Sequence, residues 1–333
     1  MDILIGAVYY TYSQDIFDVD LKVLASSAHQ ITCTIANNLL PAVAVNGVRI
    51  VANNFDITFK LDALANITTD ASNVTKLNLF SSIFNCKNTY PAFRNTIRKV
   101  WLSESINKVT GLNVRLVSPN VQIKIDISAQ NNWEILKAIM STVELYEYTQ
   151  IDDKTIIVGL PDDIASVMPT IKVGYSLNGW QIKDYKKIEY ALPYSHVSIS
   201  STISGADITG IVEHKDIDTK DKIEQYQIDL IAGAYYVVNS TAQQLNVFSQ
   251  SINTNIAENT DLKNIYDLRV KLYKLAVKQI KSSLSDSYEV DMAYNSIALP
   301  FTNLDCRVLN GFAEIKLNKR LLEFNYTLTE AIT

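Results

Sequence analysis

Hydrophobic and polar positions alternate with a period of two between Val121 and Ser128. That period predicts a half-buried strand, because successive side chains of a strand point to opposite faces. Apolar residues then recur every three or four positions, which predicts a helix with Asn131 or Asn132 as its N-cap. The apolar stripe of this helix consists of Trp133, Leu136, Met140 and Val143. The strand and the helix together predict the centre of a small α/β module.

The same module extends on both sides of this strand and helix. Downstream, runs of β-branched and aromatic residues flank the pair Asp152-Asp153, which predicts a hairpin with the aspartates in its turn. Upstream, Pro91 suits the first position of a helix that runs through Trp101, and Gly111 suits its end. The polar segment 61–88 reads as a loop or crossover. These elements predict an α/β module over residues 63–160.

Strand patterns lie on both sides of this module. Residues 1–62 carry four or five short strand patterns, which favour a small tube-like barrel or a sandwich. These patterns include residues 3–12, 17–23 and 55–61, with a turn predicted at Asn46-Gly47. A second β-barrel region is predicted for residues 161–215, with its closing strands in 288–333. The insertion 216–287 contains the clearest long helix, from Asp261 to Ile280. The predicted fold class is therefore α+β and β-rich, with two small antiparallel β-barrel domains, an α/β insert between them and a helical insertion near the C-terminus.

The composition narrows the class of protein. The chain has 333 residues, of which 47 % are hydrophobic and 20 % charged, so it is long enough for two or three folded domains. A net charge of −5 disfavours a nucleic-acid grip through phosphate neutralisation. Three scattered cysteines indicate reduced thiols and folding in a cytoplasm. The first residues do not resemble a secretory signal, and no apolar run reaches the length of about 20 residues that a membrane span needs, so no membrane insertion is expected.

Candidate chemistry is sparse. Of the three histidines, His29, His196 and His214, only the last has metal-binding neighbours, in Glu213, Asp216 and Asp218. That spacing matches no strong ligand pattern and favours a solvated polar loop. The pairs Asp152-Asp153 and Asp162-Asp163 favour surface turns, since adjacent side chains in a strand or turn point apart. No phosphate-binding glycine loop and no nucleophile elbow occurs in the sequence. The sequence therefore predicts no catalytic residue, no metal site and no cofactor.

Three short stretches carry a resemblance to a known family. They are Gly111-Leu-Asn-Val, Ser118-Pro-Asn and Asn132-Trp-Glu-Ile-Leu-Lys-Ala-Ile, in that order. Their order is similar to that in the central α/β part of phage tail hub proteins, the baseplate hubs of contractile tails and their relatives in other tails and injection machines. The resemblance is specific over about residues 91–158. It implies a structural core of the module made of Trp101, Gly111, Trp133, Leu136, Met140 and Val143.

The resemblance implies a structural function without catalysis. Hubs resemble trimeric rings in which two barrel domains per subunit match a hexameric tail tube on one side and a central spike on the other. The partners so implied are two further copies of the chain, the tail tube protein, the central spike protein and a tape-measure protein, with DNA present only in transit. The expected location is the virion tail, at its tip or baseplate, after folding in the host cytoplasm.

Two other classes of function compete with this interpretation. A carbohydrate-active hydrolase would use Asp or Glu from the β regions, and it predicts a concave site with one carboxyl of raised pKa. A virion adhesin with a β-rich fold would bind a surface without turnover. The solution mass separates the hub from a monomeric enzyme.

Overall fold

The computed structural model describes most of the chain, in sixteen ranges of residues. They are residues 2–10, 15–52, 55–62, 73–89, 97–125, 131–143, 146–174, 181–188, 196–201, 226–231, 234–239, 247–252, 287–293, 297–310, 313–321 and 323–328. The chain divides into two compact units. Unit 1 comprises Met1–Lys183 with Met292–Thr333, and unit 2 comprises Asp184–Asp291.

The described residues are mostly strands, with four short α-helices and two 3₁₀ segments. The strands are β1 (Asp2–Ile5), β2 (Val8–Tyr10), β3 (Ile16–Leu24), β4 (Gln30–Ala36), β5 (Val48–Ala52), β6 (Phe55–Leu61), β7 (Val74–Phe80), β8 (Ile97–Trp101), β9 (Asn113–Leu116), β10 (Gln122–Ile125), β11 (Glu147–Asp152), β12 (Thr155–Gly159), β13 (Thr170–Gly174), β14 (Gln181–Ile188), β15 (His196–Ser201), β16 (Tyr226–Ile231), β17 (Ala234–Asn239), β18 (Val247–Ile252), β19 (Ser287–Ala293), β20 (Asn303–Asn310), β21 (Ala313–Arg320) and β22 (Glu323–Leu328). The helices are α1 (Leu40–Asn46), α2 (Leu102–Thr110), α3 (Asn132–Thr142) and α4 (Pro161–Val167), and the 3₁₀ segments are Asn37–Leu39 and Ser82–Asn88. The predicted α+β, β-rich fold class is confirmed.

A curled antiparallel sheet, hereafter the first sheet, forms a half-barrel in unit 1. Its strand order is β2-β1-β5-β6-β7-β4-β3-β22. The hairpin β11–β12 joins this sheet through a parallel contact between β11 and β6, and β9 extends the hairpin through parallel pairing with β12. The first sheet and the α/β module are therefore continuous through backbone pairing.

Apolar side chains fill the inward-facing positions of the first sheet, because apolar and polar residues alternate along its strands. The largest fully buried side chains include Phe55, Phe59, Ile50, Ile57 and Leu79. In β3 the predicted alternation fails only at its start, where Ile16 is fully buried and Phe17 half-buried, while the later apolar positions are buried as predicted. The register with β4 shifts between Phe17 and Asp20, and Asp18 has a φ of 47°. A β-bulge there changes which face each residue takes.

Two N-terminal elements differ from the sequence prediction. The single strand predicted from Ile3 to Tyr12 is a hairpin, β1–β2, that turns at Gly6 with a φ of 62°. The predicted Asn46-Gly47 turn is the end of helix α1, where Gly47 has a φ of 74° and its N–H bonds to the carbonyl of Val43. The α1 helix is short and uncharged, so its local sequence favours a helix only weakly. Burial of the Val43 side chain contributes more to its stability.

Two predictions in the first part of the predicted α/β module were also wrong. The segment predicted as a loop contains strand β7 and the 3₁₀ segment Ser82–Asn88, because Thr75, Leu77 and Leu79 alternate inward between polar residues. The helix predicted from Pro91 begins only at Leu102, since residues 97–101 form β8 and pair antiparallel with β10. Pro91 itself lies outside the described residues.

The last strand, β22, pairs antiparallel with β3 of the first sheet, from Glu323 opposite Leu24 to Leu328 opposite Val19. The sequence had grouped this strand with a second barrel. Alternation of polarity reports that one face is buried, and it carries no information on which strand lies alongside. The chain therefore completes its first sheet with residues from its other end.

The remaining strands form smaller sheets. One has the order β13-β20-β21, another pairs β14 with β19, and unit 2 contains a mixed sheet with the order β16-β17-β15-β18. The predicted helix from Asp261 to Ile280 lies outside the described residues. Within the part of the chain that the structure describes, no helix is long and apolar enough to cross a bilayer.

Candidate functional site

The α/β module has a hydrophobic core between its helices and its hairpin. Buried members of this core are Leu102, Ile106 and Val109 from α2, Ile135, Leu136 and Ile139 from α3, and Ile156 and Val158 from β12. Helix α3 begins as predicted, because the Asn131 side chain accepts a hydrogen bond from the N–H of Glu134 at 3.0 Å. The predicted hairpin is also confirmed, as β11 and β12 pair antiparallel.

The structure brings most of the six predicted core residues of this module together. Leu136 is 1 % exposed, while Trp133, Met140 and Val143 are half-buried and pack against the same cluster. Gly111 ends α2 in the left-handed conformation, with a φ of 70°.

Trp101 differs from the four side chains of this core, because 41 % of its surface is exposed. It is the last residue of β8 and opposes Gln122 of β10, whereas the prediction placed it on a helix. Its strand neighbour Val100 packs against the core instead. Alternation along β8 therefore explains why an aromatic residue one position later faces away.

A buried histidine, His29, connects the first sheet to the hairpin. Its Nδ1 accepts a hydrogen bond from the N–H of Leu24 at 3.1 Å, so the ring proton must lie on Nε2, which donates to the carbonyl of Gln150 at 2.8 Å. Burial lowers the pKa of His29 from 6.5 to about 4, partly opposed by the bond to Gln150. His29 is therefore neutral at pH 7, and both ring nitrogens are paired.

Gln150 continues this connection toward the 3₁₀ segment Ser82–Asn88. Its Oε1 accepts from the N–H of Ile83 at 3.1 Å, and its Nε2 donates to the Ser82 hydroxyl at 2.7 Å and to the carbonyl of Asp152 at 2.8 Å. Gln150 is fully buried, so these partners replace water. We call His29, Gln150 and Ser82 the junction.

Asp153, predicted as a surface turn residue, holds the tip of the hairpin against β6. Its Oδ1 accepts from the backbone N–H of Thr58 at 2.6 Å, and its Oδ2 accepts from the Thr58 hydroxyl at 2.7 Å. Strand β6 pairs with β11 at Asp56 and with β7 at Lys60 and beyond, so Thr58 lies between two neighbours. The carboxylate thus satisfies a donor in a gap of the sheet.

Asp163 has a comparable position at the start of α4. The Ser118 hydroxyl donates to its Oδ2 at 2.5 Å and accepts from the N–H of Leu160 at 2.6 Å. A Cβ on Gly159 would lie 2.6 Å from the Ser118 oxygen, so this packing requires glycine there. Asp153 and Asp163 thus both accept hydrogen bonds that fix local structure, from backbone and hydroxyl donors.

The described residues offer no group of three or more His, Cys, Asp or Glu side chains able to hold a metal ion. Glu213, His214, Asp216 and Asp218 lie outside the described residues. Burial raises the pKa of Cys33 to about 12 and that of Cys86 to about 11, so neither thiol is a nucleophile at neutral pH.

One surface of the first sheet is both exposed and apolar. In β2, the end strand, Val8 is 55 % and Tyr9 71 % exposed, and in α1 Val45 is 77 % exposed. A Cβ on Gly6 would lie 3.4 Å from the Asn46 side chain, so the end of α1 lies beside the β1–β2 turn. We call the exposed residues here the edge surface: they are Ala7, Val8, Tyr9, Ala44 and Val45.

Sequence reasoning missed the junction and the edge surface. His29 and Gln150 stand 121 positions apart, and neither belongs to a motif. The edge surface had a visible signal, since no Asp, Glu, Lys or Arg occurs from residue 3 to 14 or from 25 to 48. A stretch without charge can be buried in a core or in an interface, so that signal alone does not separate the two.

The fold has counterparts among solved structures. A tail protein from Neisseria meningitidis MC58 matches with a TM-score of 0.62 at 14 % identity, covering 98 % of this chain and 91 % of that one. The 43 kDa tail protein of prophage MuSo2 from Shewanella oneidensis matches with a TM-score of 0.56 at 8 % identity, covering 99 % and 94 %. Prophage tail protein gp18 from Listeria monocytogenes EGD-e matches with a TM-score of 0.52 at 7 % identity, covering 98 % and 90 %.

These similarities extend over nearly the whole of each chain, so the protein has the fold of phage tail proteins. No protein-family model matches the sequence, and no curated protein sequence matches it. At such low identities the backbone arrangement is shared while individual side chains are not.

Proposed function

We propose that this protein is a structural hub subunit of a phage tail, at the tail tip or baseplate. The observation that carries the proposal is the match of 98–99 % of the chain to three tail proteins, two of them from prophages. In this role three copies form a ring that joins a hexameric tail tube to a central spike and lets DNA pass. The chain acts by its shape, without catalytic turnover.

The internal contacts of unit 1 suit a part that bears load. The first sheet and the hairpin β11–β12 are held by backbone pairing, by the junction and by the bidentate contact of Asp153 with Thr58. Buried polar groups that are fully paired resist rearrangement, because opening them leaves donors without partners. This supports a rigid wall element rather than an adaptable binding loop.

Two barrel domains per subunit would reconcile a threefold ring with a sixfold tube. The first sheet supplies one curled half-barrel, and we propose that the later strands supply a second, so that three copies present six similar domains to a sixfold tube. The net charge of −5 suits transit of DNA, since a like-charged conduit does not retain a polyanion. The proposed partners are the tail tube protein, the central spike protein and a tape-measure protein, and the proposed location is the virion tail after folding in the host cytoplasm.

Two measurements test the proposal: the mass of the protein in solution and its shape in electron micrographs. Light scattering across a range of concentrations should give a mass of three chains, and negative-stain micrographs should show a ring with a central opening. Mixing with the tail tube and spike proteins of the same phage should yield a larger complex that contains this chain. A chain that stays monomeric alone and with these partners contradicts the hub function, as does turnover of a glycan substrate.

A further inference from the structure

We propose that the edge surface is where a second copy of this chain docks, with the free edge of β2 pairing with an edge strand of the neighbouring copy. This inference rests on the proposed function, because it names the contact through which the ring would close. The Tyr9 side chain, which is 71 % exposed, is among the most exposed large apolar side chains of the described residues, and it lies on an end strand.

The register of the hairpin shows which backbone groups β2 leaves open. Ile5 pairs with Val8 across the two-residue turn Gly6-Ala7, Leu4 pairs with Tyr9, and Ile3 with Tyr10. In an antiparallel hairpin with a two-residue turn, the pair that flanks the turn is hydrogen-bonded and bonded pairs then alternate. Val8 and Tyr10 therefore bond to β1, and the N–H and C=O of Tyr9 point away from it. Among the described strands none pairs with that side of β2.

An unpaired strand edge with apolar side chains is a template for another strand. Three features lie along this edge: an open N–H and C=O at Tyr9, exposed side chains of Val8 and Tyr9 on the two faces of the strand, and exposed Val45 of α1 next to the turn. The Tyr9 side chain supplies apolar area together with a hydroxyl, a combination common at interface centres.

The two ends of the first sheet favour a second copy as the occupant. Each copy has a net charge of −5, so two copies repel one another over most orientations. The five residues of the edge surface carry no charge, so the surface itself adds no like charges to such a contact. Among the described strands β22 pairs only with β3, so it is a second edge in each copy. Pairing of unlike edges is head-to-tail, which is the contact type that closes a threefold ring.

Two variants at Tyr9 test the backbone contact separately from the side chain. Tyr9→Pro removes the open N–H but leaves the bonds of Val8 and Tyr10 to β1, and Tyr9→Thr removes the aromatic ring but keeps the N–H. Val167→Thr, at a residue 42 % exposed on α4, is the control for the loss of an exposed apolar side chain. Light scattering across a concentration series should show a trimer for the wild type and for Val167→Thr. Tyr9→Thr should need roughly tenfold more protein to associate, and Tyr9→Pro should be monomeric with an unchanged circular dichroism spectrum.

The outcomes separate this inference from the function on which it rests. A Tyr9→Pro variant that associates as strongly as the wild type overturns the interface and leaves the hub function standing. A wild type that is monomeric alone and with its tail partners overturns both. A wild type that is monomeric alone, but binds a tail partner through a contact that Tyr9→Pro abolishes, assigns the edge surface to that partner and overturns the proposal of a second copy.

Discussion

The Nε2 atom of His29 lies 2.8 Å from the backbone carbonyl oxygen of Gln150 and donates its proton to it. This bond joins the turn between β3 and β4 to strand β11, two elements separated by 121 positions in the chain. The other ring nitrogen accepts from Leu24, so the ring can be accommodated only as the neutral Nε2-protonated form. The bond makes the stability of unit 1 depend on pH.

Acidification should destabilise the protein through His29. Its pKa is about 4 in the folded state and 6.5 when unfolded, so its contribution is complete above pH 6.5. Between pH 6.5 and about 4 the unfolded chain binds a proton that the folded chain does not, and stability falls by roughly 3 kcal/mol. Urea unfolding from pH 7.5 to 4 should show this loss in the wild type.

His29→Asn is the variant that isolates this effect, because the carboxylates titrate in both proteins. The stability difference between wild type and variant should shrink as the pH falls. Independently, the NMR ring signals of His29 in the folded protein should stay those of a neutral imidazole down to about pH 5. A midpoint near 6.5 for those signals would mean that the ring is not buried as described.

Replacing Gln150 by leucine should destabilise unit 1 by about 2–3 kcal/mol, because the N–H of Ile83 and the Ser82 hydroxyl then lose a buried partner. Gln122→Leu is the matched control, since Gln122 is exposed on β10, and it should change stability by under about 0.5 kcal/mol. Chemical denaturation measures both. Equal effects of the two substitutions would refute the role of the junction.

Asp153→Ala should cost about 2 kcal/mol, because two hydrogen bonds from Thr58 to a carboxylate are lost. The local signature is faster amide hydrogen exchange at Thr58, which no longer has an acceptor. In the control Asp152→Ala, only a turn bond from the Lys154 N–H to that carboxylate is removed, so exchange at Thr58 should stay slow. Unchanged exchange at Thr58 in Asp153→Ala would count against the contact.

Two glycines with similar φ values should respond differently to alanine. At Gly111, with φ of 70°, a Cβ would meet nothing within 4 Å, so Gly111→Ala should cost only the left-handed conformation, about 1–2 kcal/mol. At Gly47 a Cβ would collide with the carbonyl oxygen of Phe59, and Gly47→Ala should cost about 3 kcal/mol or more. Thermal unfolding of the two variants ranks them. The reverse ranking would show that α1 does not pack against β6 as described.

Local signals in the sequence were sufficient for elements whose contacts lie within a few residues. Asn131 capped the helix at the predicted position, and Asp152-Asp153 marked the hairpin, because a cap and a turn depend on adjacent backbone groups. The prediction for Trp101 was wrong for the opposite reason. Its neighbourhood fitted a helical stripe, but pairing of β8 with β10 decided its conformation.

Contacts between distant segments could not be predicted from the sequence. His29 looked like any lone histidine, and nothing around Gln150 indicated a buried amide, since their partners come from three separate elements. Asp153 was assigned to the right turn, but its role depends on a gap beside β6 that only the assembled sheet contains. Polarity patterns identify what is buried, and partner choice follows from packing.

The antiparallel pairing of β22 with β3 has a consequence for biosynthesis. The two strands are roughly 300 residues apart in the chain. At about 5–20 residues per second, a ribosome needs roughly 15–60 s to add that length. Throughout that interval the outer edge of β3 has no partner strand, and neighbouring nascent chains on one messenger can compete for it. Slow release of the C-terminal residues from the ribosome should therefore favour aggregation. Truncation of those residues should likewise yield aggregates and not a soluble, shortened protein.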